Sequence, residues 1–110
     1  MKAGEVEFLY LTTTGRRSGQ PRRIEIWFTE RDGRYYVVAE HGERAGWVQN
    51  LRTDPRVTLR LGERAFPAHA RVMDAATDAL LRDDARTRSE RKYGWGDGLV
   101  VELTPEQSLP

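Results

Sequence analysis

Short β-prone runs that alternate with turn-forming residues make up most of this 110-residue sequence. The clearest turn is Asp32-Gly33, because an Asp-Gly pair between two β runs is a strong hairpin signal. Six runs have this character, and the links between them resemble those of hairpins. At this length the chain is expected to form one domain. The pattern therefore predicts an antiparallel barrel built by residues 1–110.

The predicted elements follow from the position of apolar residues and of turn signals. The predicted strands are residues 5 or 6–14, 21–30, 34–40, 56–61, 65–73 and 99–103. A short mid-chain helix is predicted over residues 45–53, because Asp54-Pro55 ends a segment of helical spacing. A second helix is predicted over residues 75–93, with Asp74 as its N-cap. Its many charged residues leave only a narrow apolar stripe, which is typical of a surface helix.

The link between the first two strands has an unusual charge pattern. From Phe8 to Ile24 the sequence contains four arginines and no acidic residue. Glycine lets backbone N–H groups approach a ligand, and the guanidinium of arginine matches phosphate or carboxylate. One interpretation is therefore an anion-binding loop over residues 15–19. The alternative is a solvated turn whose basic residues only increase solubility.

Composition excludes several classes of chemistry. The formal net charge is +1, so no global field favours nucleic acid, and the basic loop lacks the interleaved aromatics of a nucleic-acid stacking surface. There is no cysteine, which excludes disulfides and thiolate catalysis. No apolar run is long enough for a membrane helix, and no signal peptide is visible, so a soluble cytoplasmic protein is predicted. His41 and His69 form no metal motif, and no serine has a nucleophile arrangement. Any redox or group-transfer chemistry would therefore come from a cofactor.

Two aromatic features remain open at this point. Trp27 interrupts the polar face of the second strand, so it is expected to pack on a ligand, a partner or a helix. Tyr93 and Trp95 lie among three glycines after the second helix. This segment either closes over a pocket or plugs one end of the barrel.

Four segments of the sequence resemble one known family. They are TTTGRRSGQPR, DGRYYVVAEHG, WVQNLRTDPRV and AFPAHARV, which together span roughly residues 8–73. In this order they resemble the deazaflavin-dependent nitroreductase family. The resemblance implies a mainly β (α+β), six-stranded antiparallel split β-barrel with a short mid-chain helix and one later surface helix. It also implies coenzyme F-420, a deazaflavin with a phosphate and an oligoglutamate tail, as the cofactor.

The resemblance implies a set of cofactor-binding residues. The phosphate would lie on Gly15, Arg16, Arg17, Ser18 and Gly19, and Arg22 would meet the glutamate tail. The deazaflavin ring would lie against residues that follow the third strand and residues of the mid-chain helix. These residues are Ala39, Glu40, His41, Trp47, Asn50 and Leu51.

The implied activity is hydride transfer from reduced F-420 to a small-molecule acceptor of the quinone-like, nitro or conjugated type. His41 and Tyr93 are the candidate catalytic proton donors, and His41 is preferred because imidazole gains or loses a proton near neutral pH. The resemblance further implies a homodimer.

Two departures from the family pattern support alternatives. Glu40-His41-Gly42-Glu43 stands where many relatives have Ser-Lys-Gly-Gly, and Val48 replaces a tyrosine. A non-catalytic protein that binds F-420 or an apolar ligand such as a fatty acid is one alternative. An FMN-binding protein on the same fold is the other, since FMN also carries a phosphate.

Overall fold

The fold is a single antiparallel sheet with two helices, in a computed structural model that describes residues 7–106. The strands are β1 (Phe8–Thr14), β2 (Pro21–Trp27), β3 (Thr29–Arg31), β4 (Arg34–Ala39), β5 (Arg56–Leu61), β6 (Arg64–Val72) and β7 (Leu99–Pro105). The helices are α1 (Gly46–Thr53) and α2 (Ala79–Tyr93), and a 3-10 turn (Gly42–Arg44) precedes α1. The predicted start of the first strand at Glu5 or Val6 lies outside the described residues. The last strand extends to Pro105, two residues beyond its predicted end at Leu103.

The sheet is a half-barrel with the strand order β2-β1-β5-β6-β7-β4-β3. Every strand pair is antiparallel, from Phe8 opposite Trp27 in β1–β2 to Val72 opposite Val101 in β6–β7. Within the described chain β2 and β3 are the two open edges. The mainly β antiparallel fold with two helices is thus confirmed, whereas the predicted count of six strands is wrong.

The seventh strand arises because the predicted strand over residues 21–30 is broken at Phe28. The N–H of Phe28 donates to the Tyr93 hydroxyl (3.1 Å), and its carbonyl accepts from that hydroxyl (2.9 Å) and from Lys92 Nζ (3.0 Å). Since α2 satisfies both backbone groups, Phe28 leaves the ladder without an unpaired buried group. The chain therefore pairs with β1 before the break and with β4 after it.

Helix α2 begins at Ala79, four residues later than predicted. Asp74 is not its N-cap. Instead, the Asp74 carboxylate accepts from the N–H groups of Ala76 (2.7 Å) and Thr77 (3.0 Å), which stabilises a separate turn. The predicted end of the helix at Tyr93 is confirmed, because Gly94 takes the left-handed conformation (φ 77°) of a helix C-cap.

The predicted Asp32-Gly33 hairpin is confirmed. Both residues have positive φ (53° and 77°), as a type I′ turn requires, and the turn joins β3 to β4. β4 also pairs with β7, and the valines of β4 are buried on both faces of the sheet.

The two faces of the sheet carry separate apolar clusters. The inside of the half-barrel holds the larger cluster, which includes Leu9, Leu11, Val37 and Leu59 and is capped by Leu51 of α1. The opposite face holds a smaller cluster beneath α2, formed by Tyr36, Val38, Met73, Ala85 and Val100. One helix thus covers each side, and the curl of the sheet brings the end of β4 towards β2.

No helix in residues 7–106 is both long enough and apolar enough to cross a membrane.

Candidate functional site

The loop between β1 and β2 is closed by its own backbone. Gly15 donates its N–H to Gln20 O (2.8 Å), and Gly19 donates to Gly15 O (2.8 Å). Ser18 Oγ accepts from the N–H of Gln20 (3.1 Å). A Cβ on Gly15 would lie 2.8 Å from Ser18 Oγ and 3.1 Å from Gln20 O, so a larger residue there would force the Ser18 side chain to move. We call residues Gly15–Gly19 the basic loop.

Arg16 fixes the basic loop to helix α1. Asn50 Oδ1 accepts from the Arg16 backbone N–H (3.2 Å) and from its guanidinium (2.8 Å), and Gly46 O also accepts from that guanidinium (3.3 Å). Asn50 Nδ2 donates to Thr13 Oγ1 (3.1 Å). Asn50 and Thr13 are both buried, so one amide connects β1, the loop and the helix.

Arg17 differs from its neighbour. It is exposed, and within residues 7–106 neither its guanidinium nor its N–H has a hydrogen bond or an ion pair. The N–H of Ser18 is likewise unused in the described chain. Arg22 is exposed too, and its Nε lies 3.5 Å from where a Cβ on Gly15 would be. These groups can therefore donate to an anion without breaking an existing bond.

A cavity of about 730 Å³ opens beside the loop, at the seam between β2 and the end of β4. Its walls are mostly apolar and aromatic. They are formed by Phe8, Ile24, Glu25, Ile26, Trp27, Val38, Ala39, Glu40, His41, Ala45, Trp47, Ser89 and Trp95. We call this space the seam cavity. Its volume and its aromatic walls suit a flat conjugated ring system.

The basic loop and the seam cavity meet at the N-terminal end of α1. Ala45 and Trp47 line the cavity, and Gly46 between them accepts the hydrogen bond from Arg16. Arg16 Nη1 lies 3.9 Å from where a Cβ on Gly46 would be. A ligand with a flat ring and an anionic arm could therefore occupy both regions at once.

The polar groups of the seam cavity are few. Glu25 and Glu40 place two exposed carboxylates on its wall, next to the exposed imidazole of His41. No group of three or more histidine and carboxylate side chains in residues 7–106 could hold a metal ion. The acidic residues make the cavity itself less favourable for an anion than the basic loop beside it.

Tyr93 lies behind the wall rather than on it. Its ring stacks on Trp27 (4.6 Å between centroids, 2° between planes), and its hydroxyl is bonded to the backbone of Phe28. Burial raises the pKa of Tyr93 above its usual value. Trp27 therefore packs on the helix, which is one of the three alternatives expected for it, and it also lines the cavity.

The segment after α2 closes one end of the seam cavity. Trp95 lines the cavity, and its carbonyl accepts a hydrogen bond from Ser89 Oγ (2.7 Å). A Cβ on Gly98 would lie 2.4 Å from Ala39 O, and one on Gly96 would lie 2.3 Å from Arg86 O. These close contacts fix Trp95 against the end of β4. Trp95 also packs on the cluster beneath α2.

The predicted site residues fall into three groups. Ala39, Glu40, His41 and Trp47 line the seam cavity, and residues 15–19 with Arg22 form the basic region beside it. Asn50 and Leu51 are buried behind these surfaces, and Tyr93 lies outside the cavity lining. The sequence analysis had left the roles of Trp27 and Trp95 open, and it did not include the other lining residues, which are Phe8, Ile24, Glu25, Ile26, Val38, Ala45 and Ser89. Ile24 and Ile26 occupy alternate positions of the second strand, and this pattern could have identified these two as lining residues.

Comparison with known proteins identifies the family. The sequence model of the family described as F420H(2)-dependent quinone reductase matches residues 2–96. The F420H(2)-dependent quinone reductase Rv1261c of Mycobacterium tuberculosis (strain H37Rv) is 32% identical over 66 residues, which cover 57% of this chain and 44% of that protein. This chain therefore spans less than half the length of that relative.

Solved structures share the fold. HutZ, the heme storage protein from Vibrio cholerae, superposes with a TM-score of 0.77 at 19% identity, covering 96% of this chain and 86% of that one. An F420-H2 dependent reductase, FDR-A, gives a TM-score of 0.72 at 22% identity, covering 91% and 94%. A structure described as a domain-swapped dimer gives 0.63 at 24% identity, covering 91% and 80%. At these identities the likeness shows a common fold. The family match over residues 2–96 confirms the resemblance seen in the sequence, and the chain belongs to the F420H(2)-dependent quinone reductase family.

Proposed function

We propose that this protein is an oxidoreductase that uses reduced coenzyme F-420 to reduce a quinone-type acceptor. The observation that carries the proposal is the junction of the basic loop and the seam cavity at the start of α1. An anionic arm and a flat ring are the two parts of a deazaflavin cofactor. The two adjacent regions match these parts in charge and in apolar character.

The unpaired donors of the basic loop fit a phosphate. The Arg17 guanidinium and the Arg17 and Ser18 N–H groups are the donors that would hold it, and Arg22 lies beside them. Arg16 contributes by keeping the loop on α1 rather than by direct contact, since Asn50 and Gly46 already use its guanidinium. Asn50 and Leu51 act behind the site as supports in this proposal.

The seam cavity fits the ring. Trp47 and Ala39 would contact one part of it, and Phe8, Ile26 and Trp95 are the further apolar walls. Bound there, reduced F-420 would supply a hydride. The apolar walls would exclude water from the reacting atoms, which favours transfer to the acceptor over loss to solvent.

Reduction of a quinone to a hydroquinone needs a proton as well as a hydride, because two carbonyl oxygens become hydroxyls and the hydride supplies both electrons but only one hydrogen. His41 is the proposed proton donor, since its exposed imidazole lies on the cavity wall. Tyr93 is proposed as a positioning residue, because its hydroxyl is already committed to Phe28. His41→Ala should lower kcat with a smaller change in cofactor affinity.

The test is anaerobic oxidation of reduced F-420 with a naphthoquinone as acceptor, followed by the cofactor's absorbance. The proposal expects acceptor-dependent turnover that falls in His41→Ala and in Arg17→Ala. Tight F-420 binding without turnover on quinone, nitro or conjugated acceptors would favour the non-catalytic binding protein. Binding of FMN in place of F-420 would replace the cofactor and keep the fold. Binding of neither would direct the search to apolar ligands such as a fatty acid.

We also propose that two copies pair at the seam. β2 is an open edge in the described chain, and Trp27 on that strand is 48% exposed. An exposed tryptophan on an open edge strand is a surface that a partner would cover. Sedimentation equilibrium of the wild type and of Trp27→Ala tests this. A wild-type monomer at micromolar concentration would contradict it.

A further inference from the structure

A second cavity of about 600 Å³ lies on the other side of the strand break, between β3 and the C-terminal half of α2. It shares no lining residue with the seam cavity. Thr29 and Arg31 approach it from the strand, and Arg88, Arg91 and Lys92 approach it from the helix. We call it the basic cavity.

Positive charge exceeds negative charge on its walls. Four cationic side chains line it, against the two carboxylates of Glu30 and Asp32. Asp84 lies outside the lining and is shared between two guanidiniums, because it pairs with Arg31 (3.0 Å) and with Arg88 (2.8 Å). Arg31 also pairs with Asp32 (3.5 Å), so the two guanidiniums meet two carboxylates, and their remaining N–H groups have capacity for a further acceptor.

Arg91 adds an uncommitted guanidinium. It is exposed, and within residues 7–106 it has neither an ion pair nor a hydrogen bond. Residues 88 and 91 are separated by three positions, so both arginines lie on the same side of α2. Arg31 faces them from the strand side of the cavity. Donors thus converge from two elements, which suits an acceptor with several oxygens.

Thr29 supplies an independent observation. Thr29 is only 7% exposed, and its Oγ1 has no hydrogen-bond partner. No other buried side-chain oxygen or nitrogen in the described chain lacks a partner. A buried hydroxyl without a partner is a cost to the folded protein that a ligand oxygen can remove. The oxygen is covered in this conformation, so contact with a ligand requires a change of the Thr29 χ1 rotamer.

We propose that the basic cavity binds a phosphate group, either free phosphate or the phosphate of a small phosphomonoester. Arg88 and Arg91 provide planar donor pairs, Arg31 provides a third, and the Thr29 hydroxyl donates to one oxygen. A tetrahedral anion can accept from all of these directions, whereas a planar carboxylate uses only two oxygens. This inference does not depend on the function proposed above.

Inorganic phosphate is the first probe. The backbone amide signals of the ¹⁵N-labelled protein are followed by NMR during titration, with sodium chloride used to hold the ionic strength constant. The expected result is saturable movement of the signals of residues 29–32 and 88–92, with a Kd below about 10 mM. Arg91→Gln should weaken this binding about tenfold, and Thr29→Val should weaken it by less.

Two matched variants serve as controls. Arg82→Gln removes an arginine from the same helix that does not line the basic cavity, and Arg17→Gln removes one from the basic loop. Both should leave the affinity at residues 29–32 unchanged. A titration with glycerol phosphate separates the sources: tighter binding than phosphate assigns a phosphomonoester, and equal or weaker binding assigns free phosphate. The proposal is overturned if the signals of residues 29–32 do not saturate, if only the basic loop responds, or if Arg91→Gln binds like the wild type.

Discussion

The basic loop and the seam cavity are neighbours, but different interactions hold them in place. The loop depends on hydrogen bonds that converge on one buried amide, Asn50. The cavity wall depends on strand pairing and on backbone contacts so close that Gly98 has no room for a Cβ beside Ala39. The hydrogen bonds of Asn50 leave the donors of Arg17 unused, whereas the close backbone contact between Gly98 and Ala39 restricts the position of the wall. The proposed phosphate donors and the shape of the seam cavity are thus set by separate parts of the chain.

The largest effect should come from removing the anchor of the loop. Asn50→Ala leaves Thr13 Oγ1 and the Arg16 donors without their partner, so the free energy of unfolding should fall by about 3 kcal/mol. Urea denaturation measures this. Gln49→Ala, which removes a single bond to Glu43 O, should cost less than about 1 kcal/mol. Equal losses in the two variants would mean that Asn50 is not the anchor.

The two adjacent arginines should behave differently. Arg17→Ala should weaken F-420 binding by about 1.5–3 kcal/mol without changing stability, because it removes one charge-assisted donor from the proposed phosphate site. Arg16→Ala should lower both affinity and stability, because its guanidinium holds the loop on α1. Fluorescence titration and thermal unfolding of both variants provide the comparison. Loss of stability in Arg17→Ala would contradict the separation of roles.

A pH titration can test the burial and hydrogen bonding of Tyr36, which lies on the sheet face beneath α2 and outside both the basic loop and the seam cavity. Burial and the hydrogen bond to Glu102 raise the pKa of Tyr36 from 10.0 to about 12. Since the folded pKa is above the unfolded value, this stabilisation is complete below pH 10 and is lost as the pH rises through about 12.

The loss from Tyr36 should be about 2 kcal/mol. Ultraviolet absorbance of the phenolates, measured alongside unfolding, should show that the last tyrosine to titrate in the wild type is missing in Tyr36→Phe. If the wild type and Tyr36→Phe titrate identically, the environment assigned to Tyr36 is wrong.

The smallest effect should come from the acidic wall of the cavity. Glu40→Gln removes a carboxylate near the proposed path of an anionic cofactor, so F-420 should bind more tightly by about 0.5–1 kcal/mol at low salt. The difference should shrink in high salt, because exposed charges are screened. Glu63→Gln, which removes an exposed carboxylate outside the cavity lining, is the matched control. Weaker binding in Glu40→Gln would show that the carboxylate contacts the ligand favourably.

The sequence was sufficient for the features that depend on local chemistry. The Asp32-Gly33 turn, the C-terminal end of α2 at Gly94, and the closed loop around Gly15 each follow from a few adjacent residues. The alternation of residues 56–61 agrees with the buried face of β5, whereas the first strand has apolar residues on both faces, so its sequence did not identify the buried one. Family resemblance then assigned the loop and the end of β4 to one site, and both lie at or beside the seam cavity.

Contacts between distant residues account for most of what the sequence missed. The break at Phe28 is made by Lys92 and Tyr93, more than sixty positions away, and nothing local in residues 21–30 indicates it. The sequence also did not indicate that the side-chain amide of Asn50 bonds to Arg16 and to Thr13. The later start of α2 depends on Asp78, whose carboxylate accepts from the Asp74 N–H (2.7 Å) and from Arg71 (2.8 Å).

The most direct test of the proposed division between loop and cavity is a fluorescence titration of the wild type and Arg17→Ala with F-420 and with FMN. The account predicts that the wild type binds F-420 with a Kd of about 10 µM or tighter and prefers it to FMN. It predicts that Arg17→Ala loses at least about tenfold in F-420 affinity. A wild type that binds only FMN or neither ligand, or an Arg17→Ala variant with unchanged F-420 affinity, would contradict it.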